Sequence, residues 1–157
     1  MKLTTALALL LIANWLSAGI SMTQDGLNID VHIDGELFTE FRTDRHIPCL
    51  YPLMSPDGTH MTRQYPFEKD IAGESSDHPH HIGFWFTHGD VNGHDFWHGR
   101  RGEQIVTREI QLLPARKIRI GHEIRFMAEL DWLAKQKKVL SETRTYTITQ
   151  RGKNRII

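Results

Sequence analysis

The sequence contains a single cysteine and no excess of charge of either sign. Among its 157 residues, 19 lysines and arginines balance 19 aspartates and glutamates. Because such a chain has no net field that would attract a polyanion, we expect no nucleic-acid partner. One cysteine cannot form an internal disulfide, so the fold must be held by packing alone. The apolar neighbours of Cys49 predict a buried side chain rather than a reactive thiol.

Long apolar runs are also lacking, except for one near the N-terminus. Residues 3–16 are almost entirely apolar, a lysine precedes them, and the small residues 17–19 follow. This arrangement is typical of a signal peptide, with cleavage after residue 18, 19 or 21. We therefore expect a signal peptide over residues 1–21, a secreted or periplasmic protein, and one domain over residues 22–157. Because a membrane span needs about 20 apolar residues, we expect no membrane partner after signal cleavage.

Most of the remaining sequence alternates between apolar and polar residues, as β-strands do. Residues 27–33 alternate in this way, Asp34-Gly35 predicts a hairpin turn, and residues 36–41 predict the returning strand. Residues 43–76 lose this alternation and read as an irregular segment. A later strand, followed by a turn at residues 135–138, has one wholly apolar face, formed by Ile124, Phe126, Ala128, Leu130 and Trp132. We find no helical periodicity after the apolar run, so the sequence predicts an all-β fold, an antiparallel β-sandwich.

The last predicted strand carries two charged residues whose direction the alternation leaves open. Glu142 and Arg144 share a face with Leu140, Tyr146 and Ile148, and the other face is rich in threonine. If the apolar residues point into the core, Glu142 and Arg144 point inward too, and buried charges must be paired or used. If the threonines point inward, both charges lie in water. We favour the inward pair.

Six of the ten histidines lie between His78 and His98. Taken as a strand, residues 80–88 have two faces. One face carries His80, Ile82, Phe84, Phe86 and His88. The other carries His81, Gly83, Trp85, Thr87 and Gly89. The glycines would leave open space on both sides of Trp85, where the apolar face of a sugar ring can stack while imidazoles bind its hydroxyls. The alternative is that the two phenylalanines and Trp85 are ordinary core residues.

This number of histidines also allows a metal site. We expect no metal or other cofactor, because His80 and His81 would point to opposite faces of a strand and the spacing matches no helical zinc motif. The alternative is a metal-dependent enzyme, in which a transition metal such as zinc is held by His78, His81, His88 and His94. We also expect Asp77 and Asp95 to hydrogen-bond neighbouring imidazoles and to fix their tautomers.

Four motifs carry a family resemblance: residues 57–59 (Asp-Gly-Thr), 62–66 (Thr-Arg-Gln-Tyr-Pro), 77–83 (Asp-His-Pro-His-His-Ile-Gly) and 88–97. Together they resemble the PmoA-like family of exported bacterial proteins. The resemblance covers about residues 40–150 and implies a galactose mutarotase-like β-supersandwich. Such proteins are longer, so the resemblance implies that this chain is truncated, with a domain incomplete at its C-terminus. Methane oxidation, the activity in the family's usual label, is not expected, because it requires several membrane spans.

The resemblance further implies sugar chemistry in the full-length protein. Opening a sugar ring requires an acid at the ring oxygen and a base at the anomeric hydroxyl. By resemblance, His81 or His88 matches the acid and Arg63 matches a residue that orients hydroxyls. The base of that superfamily is a glutamate from the C-terminal half. Glu142 is the only local substitute, so we expect this chain to bind a sugar but not to turn it over.

From these features we expect an exported protein whose histidine- and tryptophan-lined cleft binds or modifies a carbohydrate. The full-length form would then have a mutarotase-, epimerase- or lyase-like activity. Two alternatives stay open: the metal-dependent enzyme, and a non-catalytic carbohydrate-binding module. The expected catalytic residues are His81, His88 and Glu142. The expected binding residues are Arg63, His78, His80, Trp85, Asn92, His94, Trp97 and Arg144.

Overall fold

The computed structural model describes residues 19–157, which fold into two antiparallel sheets packed as an all-β sandwich. The first sheet has the strand order β1-β2-β3-β4-β5, and the second has the order β6-β7-β8-β9. Within each sheet, every strand therefore pairs with its neighbour in sequence. The strands are β1 (Ile20–Asp25), β2 (Asn28–Ile33), β3 (Glu36–Arg42), β4 (Cys49–Leu53), β5 (Phe84–Trp85), β6 (Gln104–Ile118), β7 (Gly121–Ala134), β8 (Lys137–Arg151) and β9 (Asn154–Ile156). The predicted fold class is confirmed.

The alternating segments of the sequence form the strands that their pattern predicts. The turn between β2 and β3 contains Asp34 and Gly35, both with positive φ. The apolar face of β7 is buried, and a two-residue turn at 135–136 leads into β8. The preceding turn lies at residues 119–120, because Gly121 already pairs with Ile118 at the start of β7.

Aromatic rings join the two sheets at the centre of the core. The ring of Phe41 on β3 lies 5.4 Å from that of Phe126 on β7 and 5.2 Å from that of Tyr146 on β8. Cys49 is fully buried, as predicted, and burial raises the pKa of its thiol to about 12. A thiol with this pKa is protonated at neutral pH and acts as a small apolar residue.

The predicted signal peptide lies mostly outside the described residues, which begin at Gly19. Its last two positions, Ile20 and Ser21, are the first residues of β1 and pair with Ile33 and His32 of β2. Within residues 19–157, no helix has the length and apolar character that crossing a bilayer would require.

The predicted strand over residues 80–88 is wrong. Only Phe84 and Trp85 form a strand, the short β5, which pairs with Leu50 and Cys49 of β4. Gly83 interrupts the alternation, because its φ of +63° lies in the left-handed region that glycine adopts easily. Consequently the predicted apolar face does not exist: Ile82 is buried, whereas Phe84 and Phe86 are exposed.

The open space predicted beside Gly83 is also absent. A Cβ atom at Gly83 would lie 2.5 Å from the backbone oxygen of Leu50 and 3.0 Å from the Cβ of Tyr51. The glycine is therefore needed for close approach of two backbone segments. At Gly89, a Cβ atom would instead make ordinary contact with Trp97 and Asp95.

Candidate functional site

Side-chain hydrogen bonds to the backbone hold the irregular segment that carries most of the histidines. Arg63 donates to the backbone oxygens of Asp77 at 2.7 Å and His78 at 2.6 Å, and to the Asp77 carboxylate at 3.0 Å. The pKa of Asp77 falls to about 2, because Ser75, Arg63 and His78 all donate hydrogen bonds to its carboxylate. Sequence reasoning assigned Arg63 to ligand hydroxyls. In the structure its terminal nitrogens instead fix the start of the histidine segment.

Four imidazoles and two indoles meet in one cluster, which we call the imidazole–indole cluster. Its members are His78, His80, His81, His98, Trp85 and Trp97. The ring centroids of His80 and His81 are 4.4 Å apart, and His80 lies 4.7 Å from His98. The rings of His78 and His81 stack at 5.0 Å. The two indoles lie 4.7 Å apart. All six rings retain some solvent exposure, so the cluster is a surface feature and not part of the core.

Aspartates orient the two outer imidazoles, as predicted. The Nδ1 atom of His78 lies 2.7 Å from the Asp77 carboxylate, and that of His98 lies 2.7 Å from the Asp95 carboxylate. Because Nδ1 of each ring is engaged by an aspartate, Nε2 is the ring nitrogen left to contact another group. Among the described residues, no hydrogen bond engages the ring nitrogens of His80.

Burial and neighbouring cationic groups keep the two inner imidazoles neutral. The pKa values of His80 and His81 are lowered, first by partial burial and then by other histidines close by. Arg100 adds to this effect at His80, and Arg63 adds to it at His81. Protonating either ring brings a charge against its neighbours, so both act as neutral hydrogen-bonding groups at neutral pH.

A cavity of ≈ 460 Å³ lies between β5 and β8, on one side of Trp85. Phe84 and Phe86 stand at its wall, with 50% and 60% of their surfaces exposed. Their exposure matters, because large apolar side chains without cover mark binding surfaces more often than chance. The remaining lining comes from one stretch of β8 and the last residue: Glu142, Arg144, Thr145, Tyr146, Thr147 and Ile157.

An ion pair on β8 supplies the polar groups of this cavity, and the inward interpretation of Glu142 and Arg144 is confirmed. Arg144 donates through Nε to Oε1 of Glu142 at 2.7 Å and through Nη2 to Oε2 at 2.8 Å. Glu142 Oε2 also accepts from the indole nitrogen of Trp132 at 2.7 Å. The guanidinium further reaches the Tyr146 hydroxyl at 3.2 Å and lies over the ring of Phe86, 5.2 Å from its centroid. Burial raises the pKa of the Tyr146 phenol, so it stays protonated.

Besides Arg63, three predicted site residues belong to neither the cluster nor the cavity lining: His88, Asn92 and His94. The Nδ1 atom of His88 is within hydrogen-bonding distance of the Asp90 backbone. Asn92 occupies a turn with φ of 52°, and His94 pairs with Val91 across that turn. His94 instead lines a separate cavity of ≈ 410 Å³.

The alternative metal site is therefore not assembled. Of its four predicted ligands, His78 and His81 stack on one another. The ring of His88 bonds to the backbone of Asp90, and the backbone of His94 pairs with that of Val91. Within residues 19–157, no three histidine, cysteine or carboxylate side chains are arranged to hold a metal ion.

Sequence reasoning missed several residues that the structure places at the site. Phe84, Phe86 and Tyr146 were assigned to apolar strand faces, and Thr145 and Thr147 to the threonine-rich face of the last strand. His98 was counted only among the histidines that could hold a metal. Gly83 was the available signal, since a glycine inside an alternating run often marks a break in the strand.

Comparison with known proteins identifies one family. A family model described as a family of unknown function (DUF6807) matches residues 28–157, well over half of the chain. The match begins at β2 and includes both the imidazole–indole cluster and the β5–β8 cavity. No curated protein and no solved structure matches the chain.

Proposed function

The chain belongs to DUF6807, a family of unknown function, and we propose from its site that it binds a carbohydrate in the cavity between β5 and β8. The supporting observation is the pair of exposed rings, Phe84 and Phe86, on either side of Trp85 and beside a fixed ion pair. The imidazole–indole cluster adjoins this cavity, because Trp85 belongs to both.

The aromatic side chains of the cavity suit the apolar faces of sugar rings. A pyranose presents C–H groups on its faces, and these pack against aromatic rings. The backbone of Trp85 pairs with β4, and its half-buried indole packs against the rings of Trp97 and His81, so the indole is held in place before a ligand arrives. Rigid aromatic groups bind with a smaller entropy cost than mobile ones.

The polar side chains of the cavity suit sugar hydroxyls, which both donate and accept hydrogen bonds. The Tyr146 hydroxyl and the hydroxyls of Thr145 and Thr147 also do both. The Arg144–Glu142 pair fixes two charged groups in one orientation at the same wall. Specific sites typically combine a few such oriented polar groups with apolar walls.

We propose binding rather than turnover for this chain. Both carboxylate oxygens of Glu142 already accept hydrogen bonds, from Arg144 and Trp132, so Glu142 is not a free base. His88 lies outside the cluster, which leaves His81 as the only one of the three expected catalytic residues without these constraints. The non-catalytic binding module is thus the form of the hypothesis that these contacts favour. The PmoA-like resemblance and its implied sugar chemistry stay predictions for a longer protein.

A glycan array followed by calorimetry tests this proposal. The chain should bind at least one class of glycan, and Phe86→Ala should weaken that binding about two- to tenfold, since stacking on one aromatic ring is worth about 0.5–1.5 kcal/mol. Ile120→Ala is the matched control, because Ile120 is 59% exposed in the turn between β6 and β7, away from the cavity. Silence across the array, or equal loss in both variants, would refute a carbohydrate site at β5–β8.

We also propose that the chain is exported, on the basis of the apolar run and small residues that end at position 19. Cleavage after residue 18 or 19 leaves β1 whole, whereas cleavage after Ser21 removes two residues that pair with β2. Mass spectrometry of the secreted protein should therefore find residue 19 or 20 at its N-terminus. An uncleaved chain retained in the cytoplasm would contradict export.

A further inference from the structure

The imidazole–indole cluster contains four imidazoles, whereas stacking of a neutral sugar requires only aromatic faces. Four imidazoles in mutual contact repel one another when protonated, so the arrangement carries an electrostatic cost at mildly acidic pH. Trp85 links the cluster to the β5–β8 cavity, with its ring 6.0 Å from that of His81. A ligand seated against Trp85 therefore has the inner imidazoles as neighbours.

The titratable and charged groups that face the inner imidazoles are mostly basic side chains, histidines and arginines. His80 faces His78, His81, His98 and Arg100. Around His81 lie His78, His98, Arg63 and the single carboxylate of Asp77.

The two nearby carboxylates are already engaged. Asp77 bonds to His78 and Arg63, and Asp95 bonds to His98. The cluster thus offers imidazole N–H groups, and any proton that it takes up adds a positive charge that no free carboxylate balances. An anion bound there would balance that charge.

We propose that His80 and His81 bind the anionic group of an acidic carbohydrate, such as the carboxylate of a uronic acid. This inference rests on the proposed function and narrows its ligand class. A neutral imidazole donates one hydrogen bond and a protonated one donates two. Hydrogen bonds to a carboxylate are charge-assisted and about twice as strong as neutral ones. Neighbouring Trp97, 38% exposed, offers a further face for the sugar ring.

Acidification should tighten binding of the charged ligand. A bound carboxylate favours the protonated form of an adjacent imidazole, so protein and ligand take up protons together. A neutral sugar of the same shape has no such effect. The dependence on pH therefore separates recognition of charge from recognition of shape.

The test compares methyl glucuronide with methyl glucoside, which differ at the carboxylate, by titration calorimetry at about pH 5 and about pH 7.5, because the pKa values of His80 and His81 lie below the ordinary histidine value. At the lower pH we expect the glucuronide to bind about tenfold more tightly than the glucoside, because one hydrogen bond to a charged group is worth about that much. The preference should shrink at the higher pH. The double variant His80→Gln, His81→Gln should lose more affinity for the glucuronide than for the glucoside, so that the preference disappears. His122→Gln, on β7 outside the cluster, is the control.

The outcomes separate this inference from the proposed function. Equal affinity for the two glycosides would overturn the anion site and leave a neutral-sugar site intact. Failure of both to bind, together with a silent glycan array, would overturn both proposals. A preference that survives in the double variant would place charge recognition elsewhere and overturn the role of His80 and His81. If the double variant fails to fold, the wild-type ratio at the two pH values decides alone.

Discussion

The sheet of β6, β7 and β8 and the segment over residues 54–103 fix their backbones in opposite ways. In the sheet, ladders of hydrogen bonds join strands of 14 and 15 residues, and alternate side chains enter the core. In the segment, side chains such as Arg63 and Glu74 bond to backbone groups. His78 and Asn92 adopt positive φ there. The comparison teaches that the regular part supplies stability, and that the irregular part presents aromatic and imidazole rings to solvent.

Two phenylalanines give the largest contrast between these regions. Phe126 on β7 is fully buried between Phe41 and Tyr146, whereas Phe86 in the segment is 60% exposed. Phe126→Ala should lower the free energy of unfolding by about 3–5 kcal/mol, because it removes a buried ring and leaves a cavity. Phe86→Ala should change it by less than about 0.5 kcal/mol. Urea denaturation measures both, and comparable losses would show that Phe86 is part of the core.

Two glycines sharpen the comparison inside the segment itself. Gly83 and Gly93 both have positive φ, at 63° and 80°. A Cβ at Gly93 meets nothing within 4 Å, but one at Gly83 meets the Leu50 backbone. Gly93→Ala should therefore cost about 1 kcal/mol for backbone strain alone. Gly83→Ala should cost about 2–4 kcal/mol, because a steric clash with backbone is added.

Thermal melting of the two alanine variants ranks these costs. If Gly83→Ala melts no lower than Gly93→Ala, the close approach between β4 and residue 83 does not contribute to stability. The prediction that β5 is held by this contact would then be wrong.

Sequence alone predicted the regular sheet but not the site. The period of two over residues 124–132 is a local property, and it fixed both the strand and its buried face. The same reasoning failed over residues 80–88, because the conformation there depends on contacts with distant residues. Gly83 packs on β4, more than 30 residues earlier, and Arg63 holds the backbone of Asp77. Composition still located the cluster, since its histidines and tryptophans are close in sequence.

The inward direction of Glu142 and Arg144 could be argued from sequence but not decided by it. The apolar residues on their side of β8 favoured the core, and the threonines on the other side allowed the reverse. The structure settles the choice through partners on other residues, Trp132 on β7 and the phenol of Tyr146. Tyr146 lies two residues from Arg144 on the same face, so alternation could suggest that contact. Trp132 is on another strand, so no local pattern reveals its bond to Glu142.

The smallest expected effect is the response of stability to pH. We expect part of it to come from the histidines of the irregular segment. The pKa values of His80 and His81 are lower in the folded protein than the ordinary value of 6.5. Between the folded and the ordinary pKa, the unfolded chain binds more protons. The stability that these rings contribute is therefore fully present above pH 6.5 and is lost as the pH falls through their folded pKa values. Half-buried His46, whose pKa is lowered by desolvation and by Arg45, acts in the same direction.

Replacing His80 and His81 with glutamine, which does not titrate, should flatten this loss without abolishing it, because His46 remains. Urea denaturation at a series of pH values from about 7.5 to about 5 measures the slope, and the ordinary histidine pKa lies inside that range. Asp77 and Asp95, whose pKa values are also lowered, act only below the ordinary aspartate pKa and do not interfere. An unchanged slope in the double variant would mean that the histidine cluster does not contribute to acid sensitivity. The pH dependence of stability would then come from groups outside the cluster, such as His46.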